Sequence, residues 1–366
     1  MDPLTHGVAS FALQRAFFPR AKFATVAAML VAGLLADLDS LASLLGPAAY
    51  LSWHRNQAHS LLAAFFVSNL AVIFTCGAFL IFGITRWGGI VIPMSKDAPR
   101  AEAQDSRAAA LQNTKSLLFS ASLACLASAL LHLVFDLCQT DGIGLLWPFS
   151  SRRFSLDVLS KVDPWLLTVL IAAIALPELF RLVSDEIGAR TKRPRGRTGA
   201  IVGLSFALLY LGLRVLLHGN AVGSLEAHTM AGESPHRVGA FPDSTSPFLW
   251  HSVVETESAL NLVVMRSMGG EVKYASGVTT LHKPDPSPML AAAQNSGAAI
   301  VFVRFARFPK ATVRAELEGY SVEIQDLKDQ ATEEKSRVIF ADINLDKNSK
   351  VVSSELQWQS DSGSPP

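Results

Sequence analysis

The chain has 366 residues, of which 50% are hydrophobic, and a formal net charge of +1. Its mean hydropathy of +0.31 lies between that of an ordinary soluble protein and that of a fully polytopic membrane protein, which indicates two unlike parts in one chain. A near-zero net charge gives no general attraction to nucleic acid, so no nucleic-acid partner is predicted. The three cysteines lie in or beside apolar runs and match neither a disulfide framework nor a zinc finger.

Long apolar runs fill residues 1–218, and we predict that this part is an α-helical polytopic membrane domain. A membrane-spanning helix needs about 20 apolar residues. Four runs meet this length, at 23–45, 61–85, 116–138 and 165–183, and a slightly shorter fifth run covers 200–217. Residues 4–18 predict a short N-terminal helix with Asp2 as its N-cap and Pro3 in its first turn. No cleavable signal peptide is expected.

Residues 219–357 have the composition of a soluble domain, and alternating apolar residues predict strands there. The segments "NLVVMRSM" (261–268), "AAIVFVRF" (298–305), "ATVRAELEGY" (311–320) and "VIFADINL" (338–345) are each expected to be a strand. We therefore predict a smaller β-rich domain of about four to seven strands. The tail 358–366 is predicted to be disordered.

Lysine and arginine positions predict the orientation in the membrane, because short cytoplasmic loops are enriched in them. The densest basic cluster is in 184–198, and two further basic segments are the loop 85–115 and the stretch around Arg20. Alternating sides place all three in the cytoplasm. The loops 46–59 and 139–163 and the C-terminal domain are then extracytoplasmic.

Histidines and aspartates concentrate at the predicted extracytoplasmic ends of the apolar runs. An ionisable side chain in a membrane costs about 2.5–3.5 kcal/mol unless it is paired or hydrated, so each is a candidate functional residue. His6 can join the others only if the short N-terminal helix starts from the same side. The candidates are His6, Asp37, Asp39, His54, His59, His132, Asp136, Asp157 and Asp163.

The segment "HLVFD" is the sharpest feature of this set. His132 and Asp136 are four residues apart, so a helix places them on one face, as two ligands of a metal or as a ligand with its orienting carboxylate. A structural hydrogen-bonded pair is the alternative. Asp37 and Asp39 in "ADLDS" cannot both point into one site from a regular helix, so either the helix ends near Asp37 or one aspartate has a supporting or capping role.

Imidazole nitrogens with carboxylate oxygens suit zinc, manganese or iron, and zinc is the most common choice. More than four candidate ligands allow one or two ions. A divalent metal with water is the chemistry of ester and phosphoester hydrolysis. The metal ligands are predicted to be His6, Asp37, His54, His59, His132 and Asp136.

Together, "MDPLTHG", "LLADLDS", "HRNQAHS", "HLVFD", "TDGIGLLWPFSSRRFSLD" and "VDPW" resemble the YdjM-like family of bacterial inner-membrane proteins, which are described as metal-dependent hydrolases. The resemblance covers at least residues 1–170. It implies the same histidine and aspartate positions and a bacterial inner-membrane location. The family is also similar in its histidine and aspartate pattern to zinc-dependent phospholipases C and single-strand nucleases, which implies phosphoester chemistry.

The chain departs from the family pattern at three positions. Ala36 stands where the family has proline, Asn56 where it has glycine, and Ala58 where it has threonine. Asn is the next best residue after glycine for a positive φ, so we expect one at Asn56 if the backbone requires it. The predicted ligands are all retained.

The leading hypothesis is a membrane-bound metal-dependent hydrolase that acts on a lipid-like ester or phosphoester. Asp39 or Asp157 is the predicted general base. The predicted substrate-binding residues are Arg55, Arg152, Arg153 and Asp163. The alternative is a non-enzyme with the same residues, either a metal or proton carrier or a structural assembly protein. Membrane lipid is the expected partner, and the sequence gives no oligomeric state.

Overall fold

The structure is a computed structural model of the chain and describes residues 1–81, 100–186, 196–268, 271–332 and 338–359. The predicted cytoplasmic residues Arg190, Lys192, Arg193 and Arg195 lie outside these ranges, as do 85–99 of the predicted loop and most of the predicted tail. The chain divides into two units. The first contains Met1–Asp39, Arg55–Leu156 and Lys161–Leu211; the second contains Ser40–His54, Asp157–Ser160 and Gly212–Pro366.

The first unit is helical. Its elements are α1 (Pro3–Phe17), α2 (Phe23–Ala32), the start of a 3-10 helix (Leu35–Leu45), a 3-10 turn (Gln57–His59), α4 (Leu61–Ile81), α5 (Arg100–Leu137), α6 (Pro164–Glu186) and the first half of α7 (Arg197–Glu226). The helix α3 (Pro47–Trp53) belongs to the second unit. The short N-terminal helix is confirmed, and Asp2 caps it as predicted by accepting from the Thr5 N–H at 2.9 Å.

Among the described residues, three helical segments are long and apolar enough to cross a membrane: Leu61–Ala78, Lys115–Leu137 and Arg197–Glu226. A fourth is present if α2 and the following 3-10 helix, which are bent by 41°, form one span. The described residues therefore contain three or four candidate spans, and the predicted number of about five stays a prediction. In the predicted span at 165–183, the described residues contain the shorter apolar segment Pro164–Phe180 of α6. Part of the predicted 85–115 loop is helical, since α5 begins at Arg100.

The core of the first unit consists mainly of small side chains. Ala28 and Ala32 of α2 pack with Ala71 of α4 and with Ala121 and Ala124 of α5. Small residues let membrane helices approach closely, so that backbone packing replaces the hydrophobic effect that is weak in lipid. The three helices α2, α4 and α5 therefore form a tight group that fixes the chain segments at their ends.

Serine hydrogen bonds connect α5 with α1 and α2. Ser128 of α5 donates to the Met29 carbonyl oxygen at 2.8 Å, and its oxygen lies 2.7 Å from the Ser10 hydroxyl of α1. A Cβ at Gly33, which ends α2, would lie 2.1 Å from Ser10 Oγ. Glycine at this position is therefore a requirement of the close approach of the three helices.

The second unit is β-rich, as predicted, but its described residues contain nine strands instead of four to seven. They are β1 (Arg237–Pro242), β2 (Leu249–Glu255), β3 (Ala259–Met268), β4 (Glu271–Tyr274), β5 (Thr279–His282), β6 (Pro309–Glu316), β7 (Gly319–Asp326), β8 (Ile339–Asp346) and β9 (Val351–Trp358). The first five form one antiparallel sheet, in which β3 pairs with β2, β4 and β5. The last four form a second sheet in the order β6-β7-β8-β9.

Helices cover both sheets. Leu217, Ala221 and Leu225 of α7 pack on the first sheet around the fully buried Trp250. The second sheet packs against α8 (Pro288–Gln294) and α9 (Gly297–Val303), and the short α10 (Leu327–Ala331) joins the core of the first sheet around Phe241. The prediction of a strand at 298–305 is therefore wrong, because most of this segment is the helix α9.

Candidate metal centre

His132 and Asp136 lie one turn apart on α5 and face the interior of the first unit. Their exposed fractions are 2% and 0%. His132 Nε2 lies 3.4 Å from Asp136 Oδ2, so the prediction that one helix face presents both groups is confirmed. A buried carboxylate needs positive or hydrogen-bonding neighbours, and Asp136 receives them from two other chain segments, residues 1–6 and 55–59.

The helix α1 places His6 against this pair. Its imidazole stacks on that of His132 with ring centroids 3.9 Å apart, and its Nε2 lies 3.2 Å from Asp136 Oδ1. The amino group of Met1 also contacts Asp136 Oδ1. The short helix therefore starts on the side that the prediction for His6 required.

The end of α2 allows both aspartates of "ADLDS" to take part. The α-helix stops at Ala32, and the chain continues as a 3-10 helix from Leu35. Asp37 Oδ1 lies 3.7 Å from His132 Nε2 and 3.6 Å from His59 Nε2. Asp39 Oδ2 lies on the other edge of the His59 ring, 3.0 Å from Nδ1. Of the two alternatives predicted from sequence, the structure contains both: the helix ends before Asp37, and Asp39 supports a histidine.

The turn that positions His59 depends on a left-handed residue at Arg55. A positive φ was expected at Asn56, which replaces the glycine of the family pattern. The φ of Asn56 is −114°, however, and the positive φ of 57° is found at Arg55, one residue earlier. Asp39 Oδ2 accepts the Arg55 N–H at 2.8 Å and so fixes this conformation. The Arg55 guanidinium lies 3.8 Å from Asp136 Oδ1 and 3.5 Å from Asp141 Oδ2.

Hydrogen bonds to the outer edges of two rings define which nitrogen faces the centre. His132 Nδ1 lies 2.9 Å from the Gly33 carbonyl oxygen, which can only accept, so Nδ1 carries the proton. His132 therefore turns its other nitrogen, Nε2, toward the centre. The Asp39 carboxylate lies at the corresponding edge of the His59 ring, with Oδ2 3.0 Å from Nδ1. A carboxylate or carbonyl behind a histidine is the usual support of a metal-binding imidazole.

His59 and His6, which lie outside the spanning helices, have pKa values that are shifted in opposite directions. Burial lowers the pKa of His59, but hydrogen bonds to Asp136, Asp37 and Asp39 outweigh it and raise the pKa to about 10. Burial and the neighbouring His132 lower the pKa of His6 to about 4, against the opposing effect of Asp136. At neutral pH His6 is therefore neutral, and His59 holds a proton among three carboxylates.

The residues fit a divalent metal. One ligand atom each from His6, Asp37, His132 and Asp136 lie within 4.8 Å of one another. His6 Nδ1 and Asp37 Oδ2 are buried and have no hydrogen-bond partner among the residues that the structure describes. Two nitrogens and two carboxylate oxygens are a donor set that zinc, manganese and iron accept. We call His6, Asp37, His59, His132 and Asp136 the His/Asp cluster.

Comparison with known proteins then gives the family. Residues 1–221 match the family model described as YdjM inner membrane protein. The chain belongs to the YdjM inner membrane protein family. The match includes every residue of the His/Asp cluster and ends within α7. No curated protein and no solved structure gives a significant match.

Two of the predicted site residues of this YdjM family member lie in the second unit. His54 stacks on Tyr50 of α3 with ring centroids 4.5 Å apart. Asp157, which has a φ of 56°, pairs with Arg307 at 2.6 Å between Oδ1 and Nη1. Neither belongs to the four residues that the structure groups as candidate metal ligands.

The other predicted residues take local roles in the first unit. Arg152 is exposed and lies 5.3 Å from the centroid of the Phe154 ring, and Arg153 Nη2 donates to the Gly142 carbonyl oxygen at 3.0 Å. Asp163 accepts the Leu166 N–H at 3.0 Å and the Tyr210 hydroxyl at 3.0 Å. Asp163 therefore caps α6 and ties it to α7.

Two contributors to the site were absent from the sequence-based list. Gly33 supplies the carbonyl oxygen that fixes His132, and Asp141 Oδ2 forms an ion pair with Arg55 Nη1 at 3.5 Å. Asp141 lies in the quoted segment "TDGIGLLWPFSSRRFSLD", so its motif could have indicated it. A backbone carbonyl gives no residue-type signal, and Gly33 could not have been found in that way.

Proposed function

We propose that this YdjM family member is a membrane-bound metal-dependent hydrolase whose substrate is a lipid-like ester or phosphoester. The observation that supports it best is the convergence of four ligand atoms from three helical segments within 4.8 Å. His6, Asp37, His132 and Asp136 are the proposed ligands, and zinc is the preferred ion. Such an ion supplies Lewis acidity for the attack of water on the ester bond.

The residues around the ligands have separate tasks. The Gly33 carbonyl holds His132 in the tautomer that presents Nε2. His59, whose Nε2 lies 3.1 Å from Asp136 Oδ2, is the proposed proton donor to the leaving oxygen. Asp39 orients His59 from Nδ1, and of the two aspartates predicted as general base it is the one in contact with the His/Asp cluster. We therefore assign proton transfer to the pair formed by Asp39 and His59.

The proposed site opens on the extracytoplasmic face of a bacterial inner membrane. Arg15 lies in the last turn of α1, at the opposite end from His6, and Arg20 and Lys22 follow the helix. Basic residues mark the cytoplasmic side. The same rule makes the β-rich C-terminal domain extracytoplasmic. Near the proposed outer surface, Phe149 is 87% exposed and Arg152 is exposed, which suits a substrate with an apolar part and an anionic part.

Hydrolysis assays on the full chain in detergent test the proposal. The substrates are nitrophenyl esters, nitrophenyl phosphodiesters and phospholipids in mixed micelles. We expect turnover that stops after chelation, returns with zinc, and falls to background in His132→Ala and Asp136→Ala. His282→Ala, which removes an exposed histidine of β5, should retain it. Turnover that survives chelation and both cluster variants would refute the metal-dependent mechanism.

A non-enzymatic role is the second candidate, supported by one observation. Asp136 already has positive neighbours without a metal, since the Arg55 guanidinium lies 3.8 Å from Oδ1 and the Met1 amino group contacts the same atom. The cluster would then be a structural network of a carrier or an assembly protein. This candidate predicts no turnover on any substrate and a large loss of stability in Asp136→Ala in metal-free protein.

A further inference from the structure

A cavity of about 500 Å³ lies in the first unit at the far end of α1 from His6. It is formed where α1 ends, α2 and α7 begin, and α5 passes. His6 and Phe17 are eleven residues apart on α1, about 16 Å along the helix axis, so the cavity is separate from the His/Asp cluster. Its lining includes Phe17, Phe18, Arg20, Lys22, Thr25 and Arg197.

The cavity is positively charged. Arg20 and Lys22 are exposed, and neither has an ion-pair partner among the residues that the structure describes. Arg197 donates its Nε to the Ala16 carbonyl oxygen at 3.1 Å and has no ion-pair partner within the described ranges. None of the described residues that line the cavity is acidic. Glu178, a neighbour of this region, is paired with Arg15 at 2.7 Å.

A hydroxyl group also lines the cavity. Thr25 is only 7% exposed, yet its side chain has no hydrogen-bond partner in the described ranges of the chain. It lies in the first turn of α2, where the N-cap residue Lys22 provides no side-chain hydrogen bond. A hydroxyl with no hydrogen-bond partner among the described residues, in a basic cavity at the positive end of a helix dipole, is suited to an anionic oxygen.

Apolar side chains adjoin the basic ones. Phe17, which is 63% exposed, and Leu117 line the same cavity, and Phe23 beside Lys22 is 75% exposed. A free phosphate ion would gain nothing from these surfaces, whereas the glycerol and acyl parts of a lipid would. We propose that this cavity binds one anionic phospholipid, whose phosphate contacts Arg20, Lys22, Arg197 and Thr25.

Lipid titrations on the detergent-purified full chain, followed by native mass spectrometry, test this proposal. The probes are dioctanoyl phosphatidylglycerol, dioctanoyl phosphatidylcholine and glycerol 3-phosphate. The wild type should bind the phosphatidylglycerol about tenfold more tightly than the phosphatidylcholine. Arg20→Gln with Lys22→Gln should lose this preference, and Thr25→Val should weaken it.

Two further variants separate the site from general charge effects. Arg266→Gln with Arg304→Gln removes the same charge from exposed positions in the second unit and should bind like the wild type. Arg20→Lys with Lys22→Arg keeps the charge and should also retain the preference, which guards against a folding defect. Equal affinity for both lipids, or an equal loss in the Arg266 and Arg304 variant, would overturn the proposal. Glycerol 3-phosphate that binds as tightly as the phosphatidylglycerol would assign the cavity to a free phosphate instead. None of these results depends on metal content or turnover.

Discussion

The Nδ1 atom of His132 lies 2.9 Å from the carbonyl oxygen of Gly33, so the residue that ends α2 determines which nitrogen of His132 faces the His/Asp cluster. Gly33 is also where a side chain would collide with Ser10 of α1. The same glycine therefore joins helix packing to the chemistry of the site. Its replacement should disturb both.

Gly33→Ala should destabilise the protein and reduce metal binding. The added Cβ would lie 2.1 Å from Ser10 Oγ and 3.0 Å from Ser128 Oγ, so the helices must separate and the Gly33 carbonyl must move. We expect a loss of about 1–3 kcal/mol, the usual range for overpacking. Thermal unfolding and metal analysis check this. Gly7→Ala on α1 is the control, because nothing lies within 4 Å of its Cβ position; a similar loss in both variants would contradict the explanation.

Asp39→Asn should weaken metal binding without removing a proposed ligand. The side chain keeps its size but loses the charge that lies 3.0 Å from His59 Nδ1 and the carboxylate oxygen that accepts from Arg55. Loss of a residue that supports a metal-binding group typically lowers metal affinity about 10–100-fold. Competition with a zinc indicator measures the affinity. Asp342→Asn on β8 removes one carboxylate of the second unit and should leave the affinity unchanged.

Local sequence features were sufficient to predict the helical part of the site. The four-residue spacing of His132 and Asp136 was enough to place them on one face, and the Asp-Pro start at Asp2 was enough to place the helix of His6. The position of Asp157 could not be predicted, because it follows from a tertiary contact with Arg307 that has no sequence signal. His54 makes a local contact instead, since it stacks on Tyr50 four residues earlier in the chain.

The strand predictions show a second limit. Residues 298–305 are rich in β-branched and aromatic side chains, which favour strands, but Ser296 caps a helix there by accepting from the Ala299 N–H. A short apolar run cannot be assigned by periodicity alone. The run packs as α9 against the sheet that contains β8, so a buried helix and a buried strand have the same composition here.

Ser296→Ala therefore tests why this segment is helical. Loss of an N-cap hydroxyl typically costs about 1 kcal/mol, and we expect that decrease in the free energy of unfolding. Chemical denaturation followed by circular dichroism measures it. Ser234→Ala, at an exposed position with no side-chain hydrogen bond in the described part of the chain, should change the stability by less than about 0.5 kcal/mol. Equal effects of the two variants would show that the cap does not stabilise α9.

The pair Asp243 and His251 should make the stability depend on pH in the acid range. Burial opposes ionisation of Asp243, but hydrogen bonds from His251 at 2.9 Å, from Thr245 and from Ser246 outweigh it and lower its pKa to about 2. A lowered pKa stabilises the folded state above the unfolded value near 3.8, and the contribution is lost as the pH falls through 2. Because the pair is partly screened by solvent, we expect about 1 kcal/mol.

Unfolding of wild type and Asp243→Asn from pH 7 to pH 2 checks this expectation. The variant should be less stable at pH 7, and the difference should disappear between about pH 4 and pH 2. A difference that stays constant over this range would mean that hydrogen-bond geometry, and not the charge of Asp243, stabilises the turn.

The most direct test of the proposed metal centre is the metal content of the full chain, purified in detergent without chelator and measured by mass spectrometry. We predict one or two divalent transition-metal ions per chain in the wild type and in His282→Ala, and loss of that metal in His132→Ala and Asp136→Ala. A folded wild type that contains no metal and takes up none from excess zinc would contradict the central claim. The His/Asp cluster would then be a structural network.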